Sequence, residues 1–574
     1  MTLYNGYTLN YSIEELNKML SEETTDVVLI SKENPNYQNL TDGDKKALEH
    51  LVKAANILNN VSLIQDNALN IAQKNALTEA SNNNDEHATL ALKMFNSLNG
   101  VAGLNGIDDK PITIFNNLTT PAGKNFYPKD LSVEEFHNIL LEMFNQNEID
   151  EIKKILSSRT MVVRYNQKLK AIDYTQFFAQ EFKDIANELE VASFYTTDPL
   201  FKEYLSWQAQ ALLQNNERMD MLADKHWALM QETPLEFTIS RENYDDEMTP
   251  TVLENEHLKK LIEQHSIEPI AKDMLGARVG IVNKEGTSLL LKFKNTMKEL
   301  STKMPYADKY EQSISSNTDV KQTMVDVDLV ALTGDYAAAR GGITIAQNLP
   351  NNDKLSIKQG YGRRNVYHRQ VRQSHDSKRT QKLLNTFLHP DFHQYYNIES
   401  DHIFVIGHEN GHSLGPSSIY QNSPGICKSI IEENKADSIS ISFMPEYVKK
   451  DIITEHQLKE IYTTWITNRL LLRSKPIFPT ETYKIVDLIE FNTLIEQQAI
   501  YFDDNKLLHI NFEKVSPAIY SLLEKVIEIQ LSKSPALAKT FVENYTTWND
   551  LHDYIAKTHK ELGVKKYKNI VSYF

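Results

Sequence analysis

The chain has 574 residues and a formal net charge of −16, with 41% hydrophobic and 24% charged residues. This balance is that of a globular protein, and the acidic excess argues against nucleic acid or anionic membranes as partners, because both require a basic face. The longest apolar stretches fall far short of the ~18 residues that span a membrane. A single cysteine and no secretory signal at the start favour a reducing compartment, so we expect a cytoplasmic protein.

The first part of the chain is predicted to be mostly helical. Apolar residues recur near a 3.6-residue period over residues 48–58, 131–156 and 204–222. The second of these segments opens with Ser132 and has Glu135 three positions later, which is a capping-box pattern. We interpret the apolar stripes as helix faces that pack into a core.

A β element is predicted in the middle of the chain. Val325, Val327 and Leu329 alternate with two aspartates, which is the pattern of a half-buried strand. Residues 348–353 then predict a turn. Helical periodicity returns afterwards, for example over residues 515–529.

The segment with the most chemical information is an H-E-x-x-H pattern formed by His408, Glu409 and His412. Asp401 is the predicted N-cap of its helix, and Gly415-Pro416 is the predicted stop. The two histidines are four residues apart, so both imidazoles project from one helix face. Two neutral imidazoles can hold a zinc ion, with the glutamate beside it as general base.

A second acidic element follows about 20 residues later, within reach of a helical hairpin. Catalytic zinc takes three protein ligands and keeps one open position. Glu433 is the predicted third ligand, and Asp437, one turn further on, is predicted to accept the free N–H of a ligating histidine. Glu432 is the rival ligand. The sequence therefore predicts one zinc ion per chain.

These motifs resemble those of the bacterial branch of the dipeptidyl peptidase III family, whose members are zinc exopeptidases that remove dipeptides from the N-terminus of short peptides. The classical members carry one more residue in the first motif. The segments that carry the resemblance are HENGHSLGP at 408–416, EENKAD at 432–437, NFYP at 125–128, DP at 198–199, ENYDD at 242–246, NLPN at 348–351 and EFN at 490–492.

The resemblance implies further roles for residues outside the zinc motifs. Glu242 would bind the ammonium group of the substrate, and Tyr244 would lie near the scissile carbonyl as a second catalytic residue. Asn348 and Asn351 would bind the N-terminal end of the peptide. Taken alone, the glutamate belongs to an acidic run and the asparagines are ordinary turn residues.

Two positions depart from the family pattern. Tyr483 stands where the family usually has a histidine that helps to stabilise the transition state, and Asp487 stands where classical members have a basic residue. A tyrosine can donate a hydrogen bond but carries no positive charge. Activity or substrate preference is therefore expected to differ from that of the family.

The resemblance also implies an architecture. We expect a mainly α fold with a smaller β portion (α+β), arranged as two lobes around a wide cleft. Residues 1–255 and 323–370 are predicted to form the lower lobe, with the β element and the peptide-binding wall. Residues 256–322 and 371–574 are predicted to form the helical catalytic lobe, with the zinc site. The residues alone support only a mostly helical chain with a central β portion.

The sequence thus predicts a zinc metallopeptidase that releases dipeptides from short peptides. Two alternatives stay open. The first is a zinc-bearing peptide-binding protein with little turnover, which the departures at positions 483 and 487 would favour. The second is a zinc aminopeptidase or oligopeptidase. The oligomeric state is left open.

Overall fold

The structure is a computed structural model, and the chain forms two compact units. The described residues are 2–105, 110–118, 120–243, 246–314, 323–337, 345–349, 362–374, 377–417, 420, 424–563 and 565–574. Unit 1 comprises Met1–Val282, Val327–Thr344 and Lys565–Phe574. Unit 2 comprises Asn283–Asp326 and Ile345–Val564.

Unit 1 is built mainly from helices of the N-terminal half of the chain. Apolar side chains from the first helices and from the C-terminal strand share one core, which includes Leu16, Leu77, Phe95, Phe115 and Tyr567. The helices of this unit are Ile13–Ser21, Pro35–Gln38, Asp42–Asp66, Asn70–Asn82, Glu86–Leu98, Val133–Asn145, Ile149–Ile155, Tyr174–Phe177, Ala179–Tyr195, Pro199–Gln214, Glu217–Leu229 and Glu256–Gln264, with a 3₁₀ turn at Thr249–Leu253.

Unit 2 is also mainly helical, and its core is a large cluster of buried side chains around Phe404, Ile439, Trp465, Ile489 and Leu523. Its helices are Lys284–Thr302, Arg369–Gln373, Ser377–Phe387, Ser400–His412, Lys428–Lys449, Glu455–Trp465, Thr482–Glu496, Phe512–Ser532, Pro535–Tyr545 and Asp550–Glu561. Shorter turns lie at Pro390–Tyr395, Gly425–Cys427 and Ile466–Leu470.

Among the described residues, the strands form one larger sheet and four two-stranded pairs. They are β1 Thr24–Val28, β2 Ala102–Leu104, β3 Pro111–Thr113, β4 Thr160–Tyr165, β5 Lys168–Asp173, β6 Leu235–Glu242, β7 Met274–Asn283, β8 Thr323–Gly334, β9 Ala346–Leu349, β10 Arg364–His368, β11 Ile500–Phe502, β12 Leu508–Ile510 and β13 Tyr567–Val571.

The larger sheet has the strand order β6-β7-β8-β10-β9. β6 and β7 are antiparallel, with Leu235 opposite Ile281. β9 and β10 are also antiparallel, with Leu349 opposite Arg364. β1 and β13 pair in parallel, which joins the two ends of the chain within unit 1, whereas the pairs β2-β3, β4-β5 and β11-β12 are antiparallel.

Two of the helical segments predicted from periodicity are each divided in the structure. Residues 131–156 form two helices, because Asn147 takes a left-handed conformation with φ of 60° between them. Residues 204–222 are likewise interrupted at Asn215, with φ of 48°. Asparagine tolerates this conformation. Because a left-handed asparagine leaves the pattern of apolar positions unchanged, periodicity does not reveal either break. The start at Ser132 is confirmed, because its side chain accepts a hydrogen bond from the backbone of Glu135.

The central strand was correctly placed, but its predicted half-burial was wrong. β8 is buried along almost its whole length, and the two aspartates that suggested a solvent face are buried as well, Asp326 at 0% and Asp328 at 7% exposure. Asp326 is compensated inside the protein by Arg369, whose Nε lies 2.5 Å from its carboxylate. Of the predicted turn at residues 348–353, residues 350–353 lie outside the described residues.

The predicted fold class, mainly α with a smaller β portion, is confirmed. The compact units divide the chain after residues 282, 326, 344 and 564, whereas the predicted lobes divided it after residues 255, 322 and 370. The arrangement of two lobes around a cleft stays a prediction. In the described part of the chain, none of the helices combines the length and apolar character that a membrane crossing requires.

Candidate metal centre

Two helices of unit 2 carry the motifs that the sequence singled out. We call Ser400–His412 the histidine helix and Lys428–Lys449 the carboxylate helix. The predicted N-cap at Asp401 is wrong, because Glu399 holds that position and Asp401 lies in the first turn. The chain already turns at Asn397, whose side chain accepts a hydrogen bond from the backbone N–H of Glu399 at 3.1 Å.

Glycines allow the histidine helix to approach the carboxylate helix closely. A Cβ atom at Gly411 would lie 2.8 Å from the carbonyl oxygen of Ala436, and one at Gly407 would lie 2.3 Å from the hydroxyl oxygen of Ser440. The Ser440 hydroxyl donates a hydrogen bond to the carbonyl of Phe404 at 2.7 Å. The two helices are therefore in backbone contact next to the histidines, and this contact sets the distance between the two motifs.

The donor atoms of the three predicted ligands converge. His408 Nε2 and His412 Nε2 lie 3.1 Å apart, and Glu433 Oε2 lies 3.4 Å from the first and 3.8 Å from the second. Zinc bonds of 2.0–2.1 Å in a tetrahedron imply ligand separations of about 3.3 Å. Glu433 Oε2 is also buried without a hydrogen-bond partner among the described residues.

The outer nitrogens of both histidines contact carboxylates. His408 Nδ1 lies 2.5 Å from Asp437 Oδ1, as predicted, and His412 Nδ1 lies 3.1 Å from Glu432 Oε1. In zinc sites a ligating histidine donates its outer N–H to a carboxylate and binds the metal through the other ring nitrogen. The two Nε2 atoms, 3.1 Å apart, have close to the separation of two zinc ligands, so this donor set fits a zinc ion.

Glu432 therefore does not lie among the donor atoms. It contacts the opposite side of His412, where Lys435 Nζ lies 2.9 Å from its Oε1 and Gln530 Nε2 donates to its Oε2 at 3.3 Å. Burial by itself would raise the pKa of Glu432, but Lys435 and His412 lower it to about 2. A permanently ionised carboxylate thus orients His412. The sequence suggested Glu432 only as a rival ligand, so this role was missed.

Arg469 is a further residue that the sequence did not indicate. It lies on the π-helical turn Ile466–Leu470, its guanidinium stacks over Phe404 at 4.8 Å, and it donates to Asp437 Oδ2 at 3.3 Å. Burial would lower the pKa of His408, but the ionised Asp437 raises it well above its ordinary value. Burial by itself would raise the pKa of Asp437, but the positive charge of Arg469 lowers it and keeps this carboxylate ionised. The ionised Asp437 in turn orients His408.

Asp487, one of the two departures from the family pattern, is a partner of this arginine. Its Oδ1 lies 3.5 Å from Arg469 Nε. Burial raises the pKa of Asp487 to about 7, and burial also raises that of the neighbouring Glu490 well above its ordinary value. Where a basic residue was expected, the chain has an acid, and the nearby positive charge is supplied by Arg469.

The second departure, Tyr483, is affected by the charges of Glu433 and of the predicted general base, Glu409. Glu409 follows His408 on the histidine helix and is half-buried. Tyr483 is 58% exposed as a residue, yet desolvation at its hydroxyl end, followed by the charges of Glu433 and Glu409, raises its pKa. The phenol therefore stays protonated and able to donate a hydrogen bond close to the donor set.

The predicted peptide-binding residues are only partly described. Glu242 is the last residue of β6 in unit 1. Asn348 lies on β9 in unit 2, opposite Asn365 of β10. Tyr244 and Asn351 lie outside the described residues. The roles of all four residues stay predictions.

Comparisons with known proteins find a similar sequence and several similar structures. No family model matches the chain. Nudix hydrolase 3 from Arabidopsis thaliana is 22% identical over 565 residues, which cover 88% of this chain and 68% of that protein.

Two of the similar structures are dipeptidyl peptidase III proteins from bacteria. The structure of DPP III from Caldithrix abyssi has a TM-score of 0.78 and 22% identity, and covers 97% of this chain and 98% of that chain. The dipeptidyl-peptidase III from Corallococcus sp. strain EGB has a TM-score of 0.68 and 18% identity, with 96% of each chain covered. The chain therefore has the fold of these structures, and the resemblance inferred from its motifs is confirmed at the level of the fold.

Proposed function

We propose that this chain is a zinc-dependent exopeptidase that releases dipeptides from the N-terminus of short peptides. The observation that carries this proposal is the convergence of His408, His412 and Glu433 in a chain with the fold of two dipeptidyl peptidase III structures. Zinc on these three ligands would supply Lewis acidity and lower the pKa of a ligating water towards ~7.

The chain's own residues would carry the proton transfers. Glu409 is proposed as the general base, which takes a proton from the attacking water and later delivers it to the leaving amine. Its place next to His408 on the histidine helix supports this role. Tyr244 is proposed to donate a hydrogen bond to the oxyanion that develops on the scissile carbonyl.

The length of the released product would be set by binding of the N-terminus of the peptide. Glu242 is proposed to pair with the N-terminal ammonium group, and Asn348 and Asn351 are proposed to hold the first residues of the peptide. A charge-assisted hydrogen bond of this kind contributes roughly 1.5–3 kcal/mol. Binding at a fixed point would place the second peptide bond, rather than the first, at the metal.

Hydrolysis of a dipeptidyl arylamide by purified protein tests the proposal. We expect release of the arylamine that a chelator abolishes and that added zinc restores. Hydrolysis that is insensitive to the chelator would contradict zinc dependence. Preference for a single-residue arylamide would support the aminopeptidase alternative, and no hydrolysis of any peptide by zinc-loaded protein would support the peptide-binding alternative.

A further inference from the structure

A second group of metal-ligand side chains lies elsewhere in unit 2, on residues that take no part in the proposed peptidase chemistry. His389, Asp503 and His509 each present one ligand atom, and these atoms lie within 4.8 Å of one another. Two imidazoles and one carboxylate form a donor set that suits zinc and neighbouring transition-metal ions. Nothing in the H-E-x-x-H motif or in the resemblance points to these residues.

The local backbone brings the three residues together. His389 follows the helix Ser377–Phe387, and its N–H donates to the carbonyl of Leu508 at 3.0 Å. His509 is the next residue of β12, and Asp503 directly follows β11 of the same hairpin. A helix end is thus joined to a hairpin at the point where both histidines lie, and their ring centroids are 4.3 Å apart.

Asp503 is fixed in the orientation that a ligand needs. Its Oδ1 accepts hydrogen bonds from the backbone N–H groups of Asn505 and Leu507, both at 2.9 Å. Its Oδ2 lies 3.2 Å from His509 Nε2. The backbone therefore holds one carboxylate oxygen, and the other remains for a cation.

Packing also restrains the imidazoles. The ring of His509 stacks on its cross-strand neighbour Tyr501, with 4.8 Å between centroids and 6° between the ring planes, and Phe392 packs edge-on against it. Asp391 Oδ2 lies 3.5 Å from Nδ1 of His389 and adds negative charge at the rim. The three side chains retain 19–29% exposure, which leaves room for water to complete the coordination.

We propose that His389, Asp503 and His509 form a second transition-metal site, which binds zinc and joins the end of the Ser377–Phe387 helix to the β11-β12 hairpin. The three ligand atoms lie within 4.8 Å of one another, and small movements of these partly exposed side chains can bring them to the tetrahedral edge of about 3.3 Å. The site is independent of the proposed peptidase activity.

Zinc stoichiometry of the purified full chain, freed of any affinity tag, tests this proposal. Equilibrium dialysis against zinc followed by elemental analysis should give two ions per wild-type chain. Asp503→Asn, which keeps the shape of the side chain, and His389→Ala should each retain one. His257→Ala, at an exposed histidine of unit 1, should retain two. An Asp503→Asn chain that binds as many ions as the wild type overturns the site.

A second measurement removes the candidate metal centre from the comparison. In the His408→Ala background, added zinc should raise the Tm, because a ligand that binds only the folded state stabilises it by mass action. The same addition should leave the Tm of His408→Ala/Asp503→Asn unchanged. Equal Tm shifts in the two proteins would contradict the proposal, and circular dichroism without zinc checks that both are folded.

Discussion

At the scale of single residues, the structure separates the proposed ligands from the proposed base. Glu409→Gln should keep zinc, because its carboxylate is not among the converging donor atoms, and should lose about 10²–10⁴-fold in kcat, the range for a general acid–base group. His408→Ala and Glu433→Ala should instead lose the metal. Elemental analysis and steady-state kinetics measure both effects. Full turnover by Glu409→Gln would refute the assigned base.

The carboxylates behind the histidines should tune zinc affinity without binding zinc. Asp437→Asn and Glu432→Gln should each lower the affinity for zinc by about 10–100-fold, since each removes a charged partner of a ligating imidazole. Competition with a chromophoric chelator measures the affinity. Glu446→Gln is the control, because Glu446 lies on the same helix and pairs with Lys303 instead. If Glu432→Gln abolishes binding and Glu433→Gln does not, the two glutamates have exchanged roles.

Asp487 should make the stability of the fold depend on pH. Its pKa is about 7 in the folded chain and about 3.9 when unfolded, so the folded state holds an extra proton between these values. The stabilisation is fully present below about pH 4 and is lost as the pH rises to about 7. Asp487→Asn should therefore flatten the decrease in unfolding free energy over that window. Chemical denaturation at several pH values measures it, and an unchanged slope would contradict the burial of this acid.

At the scale of secondary-structure elements, the contact between the histidine and carboxylate helices should be sensitive to one methyl group. Gly411→Ala would place a Cβ 2.8 Å from the Ala436 carbonyl oxygen, and overpacking of this kind costs roughly 1–3 kcal/mol. The gain in helix propensity, about 1 kcal/mol, is smaller. We expect a lower Tm and weaker zinc binding. A variant with unchanged Tm and unchanged zinc affinity would show that the helices do not pack this closely.

The elements that the sequence predicted well are those whose signals are local. The helix over residues 515–529 was found because its apolar stripe repeats regularly, and it extends from Phe512 to Ser532 in the structure. The pairing of His408 with Asp437 was also predictable, because both motifs have fixed spacing on their helices. The breaks at Asn147 and Asn215 were missed, because a left-handed residue leaves the hydrophobic pattern intact.

Contacts between distant segments left no such signal. Arg469 reaches Asp437 from a turn 32 positions away, and Gln530 reaches Glu432 across 98 positions. Neither belongs to a motif, so only the three-dimensional structure brings them to the centre. The burial of Asp326 was mispredicted for the same reason, because its partner Arg369 lies on another element.

At the scale of the whole molecule, the proposed release of dipeptides depends on the binding of the substrate's ammonium group by Glu242. Glu242→Gln should reduce kcat/KM for peptides with a free N-terminus by about 10–150-fold, which corresponds to 1.5–3 kcal/mol of ammonium binding. The zinc content of this variant should equal that of the wild type. Equal kinetics for wild type and Glu242→Gln would move the ammonium site to another residue.

The most direct test of the central claim is mass spectrometry of the first products from a hexapeptide and its N-acetylated twin, each incubated with zinc-loaded protein. We expect an N-terminal dipeptide and a tetrapeptide from the free peptide, and no dipeptide from the acetylated one. We also expect no products with a chelator present or with Glu409→Gln. Single amino acids as the first products, equal cleavage of both peptides, or two intact peptides would contradict the claim.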